Sequence, residues 1–427
     1  MNIRYLHILL LLTGVILTGC KDNPVTVTAE PELSTDEVSC TEVWLELKLP
    51  HEKIPAEVKL LQDNQEIQNL RVFTEDTLLY VRSLEPSRNY TFLALITPPD
   101  NKTVFSNNKE IRTLTPSGRI FNFRKHYFGE AGFSYNNIND AAIINENDIW
   151  IAGRFALRDT NINGMSDYNA AHWDGRKWEY RQLWFHLTGG FTGFPEINKV
   201  ILLPDDKIAF LSGHGIAFMK NGVQYRTDKE PLWTNAFWGT DTSNFYACGS
   251  FGKIYRYDGN VWHEIYNAGD ITFNKIYGSY NKRNKSYEII AHGGNVSASR
   301  VFSISEDEVT EISMKGVTDI AYDVWLYPGK KQYLAGQVLY YKNPEDTVWS
   351  NIPDPDMISL ASVTGSALND IFVATTYDRI YHFNGVDWYR LYPWNSSFDY
   401  NKIKVKNNII VAFGHYYNQG FVNIITR

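Results

Sequence analysis

The stretch Ile254–Ile265, IYRYDGNVWHEI, decides how this chain is read. Two short runs of alternating apolar and polar residues flank Asp258-Gly259, and the pattern returns as IYHFNGVDWYRL at Ile380–Leu391 and AAHWDGRKWEYR at Ala170–Arg181. Alternation at every second position marks a strand with one buried face. An Asx-Gly pair suits a two-residue hairpin, whose two central residues both take positive φ. Asp258-Gly259, Asn384-Gly385, Asp174-Gly175 and Asn221-Gly222 are therefore expected to close hairpins.

A second motif lies upstream of these hairpins. It reads NDIWIAGR from Asn147, DKIAFLSGH from Asp206, SNFYACGS from Ser243, YEIIAHGG from Tyr287, KQYLAGQV from Lys331, NDIFVATT from Asn369 and NNIIVAFGH from Asn407. Apart from a longer first interval, the copies are spaced by about 40 residues, the period of a four-stranded propeller blade. The expected architecture is all-β, with a β-propeller of roughly seven blades (six to eight) over 117–427. The last copy ends at GFVNIITR without an outer hairpin, whereas RIFNFRKHYFG (Arg119–Gly129) stands alone before the first blade. That strand is expected to complete the last blade and so remove its open edge. Trp178, Trp262, Trp349 and Trp388 recur in the repeat and are expected to pack between blades.

Composition narrows the partners. The 427 residues are 44% hydrophobic and 15% aromatic, enough for a large core and two folded domains. Lys and Arg total 41 against 48 Asp and Glu, so the chain lacks the basic footprint that nucleic acid selects. Its three cysteines do not form a disulfide framework, since Cys40 and Cys248 fall in different expected domains.

At the amino terminus, Arg4 precedes an apolar run from Ile8 to Leu17 that closes with LTGC at Cys20. This resembles the lipobox of bacterial lipoproteins, which implies a signal peptide over 1–19 and an acylated Cys20 holding the protein to the outer membrane. Lys21-Asp22 partly resembles the export signal of surface lipoproteins in the Bacteroidetes. Residues 20–36 read as a flexible tether and 37–116 as short alternating strands. Within them LEPSRNYTFLAL (Leu84–Leu95) resembles the fibronectin type III signature, which implies a small β-sandwich with Tyr90 at its corner; Trp44 is a candidate core tryptophan. As a whole the chain resembles propeller lipoproteins of Bacteroidetes-type bacteria. It lacks the Gly-His and Trp-Asp pair of WD repeats, and its turns resemble the sialidase Asp-box only loosely.

The residue after each repeated strand gives Arg154, His214, Ser250, His292, Gln337, Thr376 and His415, a polar ring expected at one mouth of the channel. Solvated loop positions have the same composition. The three histidines come from separate blades, so no metal or other cofactor is assigned. The longer first interval holds RFALRDTNINGMSDYN (Arg154–Asn169), expected as a solvated insert rather than a calcium loop. It also holds WFHLTGGFTGFPE, whose Trp184, Phe185, Phe191 and Phe194 are candidates for a partner-binding loop. The chain has no nucleophile elbow, zinc-protease helix motif, phosphate loop or dinucleotide fingerprint, and no catalytic residue is assigned. Carboxylates such as Asp258, Asp370 and Asp378 could supply a glycosidase pair. The expected function is a lipid-anchored envelope protein presenting a propeller to a protein or glycan. The alternative is a polysaccharide-acting enzyme, a glycosidase or lyase, with its site at the channel mouth.

Overall fold

The computed structural model describes residues 30–427 except 131–135, 160, 162–163, 188, 232, 296, 355 and 392–398. The leader and Cys20 lie outside the described residues. The chain divides into two compact units: one contains the segment ending at Thr35 with Trp44–Tyr80 and Asn89–Ile111, the other Asp36–Val43, Val81–Arg88 and Arg112–Arg427.

The first unit is built on two sheets. One pairs Glu32–Val38, Glu42–Lys48 and Asp76–Arg82; the other joins Gln65–Val72, Ala56–Gln62, Asn89–Thr97, Val104–Phe105 and Lys109–Arg112. The alternation in AEVKLLQ places Ala56, Val58 and Leu60 inside and Glu57 and Lys59 outside. Trp44 is fully buried and stacks on Tyr80 with ring centroids 4.9 Å apart, and Tyr90 is buried too.

The second unit holds seven four-stranded sheets. Blades 1 to 7 begin with the inner strands Asn137–Asn145, Lys199–Leu202, Thr234–Asp241, Thr272–Asn281, Asp323–Tyr327, Leu360–Ala367 and Asp399–Lys406. All seven repeated segments of the sequence form the second strands of these blades, from Asp148–Asp159 to Ile409–Tyr416. Blade 7 takes its fourth strand from Asn122–Phe128, which pairs antiparallel with Gln419–Thr426 from Gly420↔Phe128 to Thr426↔Asn122. The lone amino-terminal strand therefore closes the ring, and the backbone groups of the last hairpin find partners instead of an open edge.

Hydrophobic burial explains why the ring closes. One apolar cluster lies between each pair of neighbouring blades, including Phe128, Ile138 and Ile151 with Val411 and Val422 between blades 7 and 1. Trp178 packs edge-on against Phe128 at 4.9 Å, and Trp349 is buried between blades 4 and 5. Trp262 packs tilted against Tyr257 and Trp388 against Phe383, both partly buried.

Of the four hairpin turns, Asn221-Gly222 keeps the expected two-residue form between Lys220 and Val223, and the other three differ from it. Gly175, Gly259 and Gly385 have positive φ, but of the four Asx partners only Asn221 does. In the other three, the Asx side chain caps a four-residue turn: Asp258 Oδ1 accepts the amides of Asn260 and Val261, and Asp174 and Asn384 do the same two and three residues on. The side-chain oxygen supplies the turn's hydrogen bonds, so its own backbone can stay at negative φ. The Arg154–Asn169 segment also departs from a solvated insert. The second and third strands of blade 1 run on as a paired ribbon from Phe155↔Tyr168 to Asp159↔Gly164, with Asp167 bonded to Arg154.

Candidate functional site

Because the four strands of a blade are antiparallel, the loops between strands 2 and 3 and those linking strand 4 to the next blade open at the same end. This end carries the residues of the expected polar ring. His214, Gln337 and Thr376 are exposed, Ser250 and His415 are half-buried, and Arg154 sits in its strand ion-paired to Asp167 at 2.9 Å. His292 belongs to the interior instead. The second strand of blade 4 continues to Gly294, which leaves His292 paired with Lys275 and only 3% exposed.

Neither ring nitrogen of His292 has a hydrogen-bond partner. Burial therefore pushes its pKa down to about 4, against the pull of Asp323 and with help from Lys275. A base whose folded pKa is depressed makes the unfolded chain bind more protons, so stability is full above pH 6.5 and falls as pH drops from there through 4. Charging His292 inside the fold therefore costs on the order of 3 kcal/mol. A His292→Leu variant is expected to lose much less stability between pH 6.5 and 4.5 than wild type, as read by urea denaturation at each pH.

The same end exposes large aromatics, among them Phe251 and Tyr417 after second strands and Trp233 and Tyr322 in the connections between blades. Tyr377 follows the second strand of blade 6, and the blade 1 to 2 connection adds Trp184 and Phe191. Trp233 is 69% exposed and Tyr417 79% exposed. Trp233, Phe251 and Tyr417 also lie in the left-handed region, with φ of 65°, 61° and 51°. For a bulky L-residue that conformation costs roughly 1–2 kcal/mol. Exposed rings gain little burial to offset it, so these positions are not explained by stability.

The four residues of the expected partner loop split. Phe191 is exposed, and Trp184 is half-exposed with the half-buried Phe194 edge-on against it at 5.1 Å. Trp184 is also held through Gln224, which bonds both its amide and its carbonyl. Phe185 faces inward with Trp150 and Phe210 in the core between blades 1 and 2. The ribbon pairing Phe185–His186 with Thr192–Gly193 turns one side of the loop to the core and leaves its tip outside.

Deeper in the channel, the inner strands share a feature that the expected ring did not include. Aligned on their bulges they read INDAAI (138–143), TNAFWG (234–239), FNKIYG (273–278), LASVTG (360–365) and YNKIKV (400–405). In each the pairing skips the second residue, an asparagine in four of the five. A bulge of this kind re-aims the residue that follows. Asn139 and Asn235 donate to Ile197 O and Phe273 O of the next blade, both at 3.0 Å.

The following residue is often charged. Asp140 of blade 1 meets Lys199 of blade 2 at 3.2 Å and Lys402 and Lys404 of blade 7 at 3.4 and 3.1 Å, and accepts the Val200 amide. Asp323 of blade 5 meets Lys275 of blade 4 at 2.8 Å and accepts from Ser362 Oγ and Val363 N of blade 6. Each carboxylate thus ties three blades together. Burial opposes the charge of Asp140, but Lys199, Lys402 and Lys404 outweigh it and hold the carboxyl well below its usual range. Lys275 and Ser362 do the same for Asp323. Burial in turn pushes Lys404 down to about 8 and Lys402 well below an ordinary lysine.

These states bear on catalysis. A glycosidase acid must hold its proton near neutral pH, and both channel carboxylates are ionised. Asp370 is committed to His382 and Arg427, and Asp258 to its turn. Glu230, before blade 3, is held up to about 9 by burial, which outweighs the opposing pull of the Gly213 backbone. Among the described residues, no group of three His, Cys, Asp or Glu is placed to hold a metal ion.

No protein-family model and no curated protein matches the sequence. Solved structures do match. The one described as YCF48 bound to D1 peptide aligns with a TM-score of 0.52 at 12% identity, over 71% of this chain and 97% of that one. BBS1N in complex with ARL6DN aligns at 0.47 and 10% identity, over 71% and 98%. The likeness is one of fold. The chain is a β-propeller in its second unit, and its functional reading rests on its own residues.

Proposed function

We propose that this is a lipid-anchored protein of the bacterial cell envelope that binds a protein partner through the end of its propeller carrying Trp233, Phe251, Tyr377 and Tyr417. Acylated Cys20 fixes it to the outer membrane, and the residues between Cys20 and the strand Glu32–Val38 form a tether shorter than the expected 20–36, since residues 32–36 are paired in a sheet. The strands from Glu32 to about residue 116 act as a fibronectin type III-like spacer. The observation that carries the reading is the set of exposed aromatics at one end, three of them in left-handed backbone. Aromatic side chains are enriched at protein interfaces and supply most of their anchoring energy. YCF48, which shares the fold, was solved with a peptide bound. A glycan is the alternative occupant of the same aromatic surface. The polysaccharide-acting enzyme has less support, because the channel carboxylates are ionised and paired with lysines.

A photo-crosslinking residue at Tyr377, compared in cells with one at Tyr287, tests the reading. Tyr287 is exposed beside the turn between strands 1 and 2 of blade 4, at the opposite end. One discrete protein adduct is expected from position 377 only, lost when Phe251 and Tyr417 are changed to serine. Equal adducts from position 287 would remove the proposed face. Glycan-array binding lost in the same serine variant would assign the face to a sugar. Cys20→Ser is expected to release the protein from the membrane fraction, and retention would refute the lipid anchor.

A further inference from the structure

We infer that the propeller channel is a binding site for a small organic anion, a carboxylate or phosphate carried on a flat apolar body. The inference is independent of the aromatic end and of its partner. Three lysines from blades 2 and 7, Lys199, Lys402 and Lys404, converge on the single carboxylate of Asp140. Lys275 is already matched by Asp323, so in the first cluster three lysines share one carboxylate, and burial draws protons away from Lys402 and Lys404. Charge in a poorly solvated channel is costly unless it is paired. An anion is the group that would complete the cluster.

The space for it is adjacent. A cavity of about 240 Å³ is lined by Lys199, Lys404 and Lys406 together with Trp238, Tyr277 and Leu202. The lysine side chains are buried along most of their length but not sealed: Lys404 keeps 29% of its surface and Lys199 12%. The aromatic wall is built with some care. Gly278, next to Tyr277 on the inner strand of blade 4, lies so close under the indole of Trp238 that a Cβ there would sit 2.5 Å from the ring. Only glycine lets Trp238 lie that close against the strand. An apolar pocket with a few convergent charged groups is the usual form of a small-ligand site. Here the ammonium groups would take the anion, and Trp238 and Leu202 would hold the flat body.

The test is titration of the full-length protein in mild detergent with three probes: 1-naphthoate, the uncharged 1-naphthalenemethanol, and inorganic phosphate. Binding is followed by calorimetry and by quenching of tryptophan fluorescence. Naphthoate is expected to bind at least tenfold more tightly than the alcohol. Lys199→Met with Lys404→Met should weaken naphthoate at least tenfold while leaving the alcohol unchanged. Trp238→Leu, which keeps all the lysines, should weaken naphthoate and leave phosphate unchanged. Circular dichroism and thermal melting establish that each variant is folded. Equal affinity for naphthoate and the alcohol, or unchanged naphthoate binding in the folded double lysine variant, would overturn the site. Phosphate binding as tightly as naphthoate and indifferent to Trp238 would overturn the apolar half of the inference. No binding by any probe would overturn it entirely.

Discussion

Replacing Asp140 with asparagine is expected to destabilise the propeller by about 3–5 kcal/mol, the cost of leaving buried charges without their partner. The change removes almost no volume. It leaves Lys199, Lys402 and Lys404 facing one another with no carboxylate between them. Two features separate this effect from ordinary mispacking. First, Lys402→Met added to Asp140→Asn should recover part of the loss, because it removes one of the stranded charges; neighbours in one network are not additive. Second, the deficit should shrink as pH rises. Burial holds Lys404 at about 8 and Lys402 well below its normal value, so the unfolded chain binds more protons than the folded one from about pH 8 upward. Stability from these two groups therefore increases toward pH 10, where the lysines are neutral in the fold. Urea denaturation at pH 7 and 9.5 reads both effects. A deficit under about 1 kcal/mol, or one that is independent of pH, would mean that the cluster is solvated and not structural.

Phe128→Ala is the second large effect, expected at about 3–5 kcal/mol. Phe128 lies in the strand that closes the ring and is fully buried, with Phe155 at 5.6 Å and Trp178 at 4.9 Å across the junction of blades 7 and 1. Its neighbour Tyr127 lies on the other side of the same strand and is half-exposed. Tyr127→Ala keeps every backbone pair and should cost less than about 1 kcal/mol. The loss at Phe128 should also be local in its first symptom. Amide exchange in Gln419–Thr426, the strand paired with Asn122–Phe128, should accelerate before exchange in blades 3 to 5. Equal exchange in all blades would show that the closing strand opens only with the whole ring.

Much of the fold is legible along the chain because it depends on short-range pattern. The seven second strands and the outer hairpins announce themselves by alternation and Asx-Gly pairs, and the lone strand at Arg119–Gly129 is identified by the missing partner at the other end. The turn geometry was less legible. An Asx-Gly pair is compatible with a two-residue turn and with a capped four-residue one, and only the side-chain hydrogen bonds decide between them. Position within a strand was also hidden. His292 and Phe185 look like loop residues in sequence, but a longer strand in one case and a short ribbon in the other turn them inward.

The sequence by itself determined the all-β class, the repeat and the strand that closes it, since each follows from residues within one blade or from one unmatched strand. The channel was decided only in three dimensions. The Asn followed by Lys or Asp on the inner strands is visible once aligned, yet Lys402 and Asp140 stand 262 residues apart and meet only because blade 7 closes against blade 1. Which charges are paired, which are in excess and which aromatics share an end are properties of the ring. Local periodicity carries no record of them, because closure brings together residues whose own neighbours in sequence say nothing about each other.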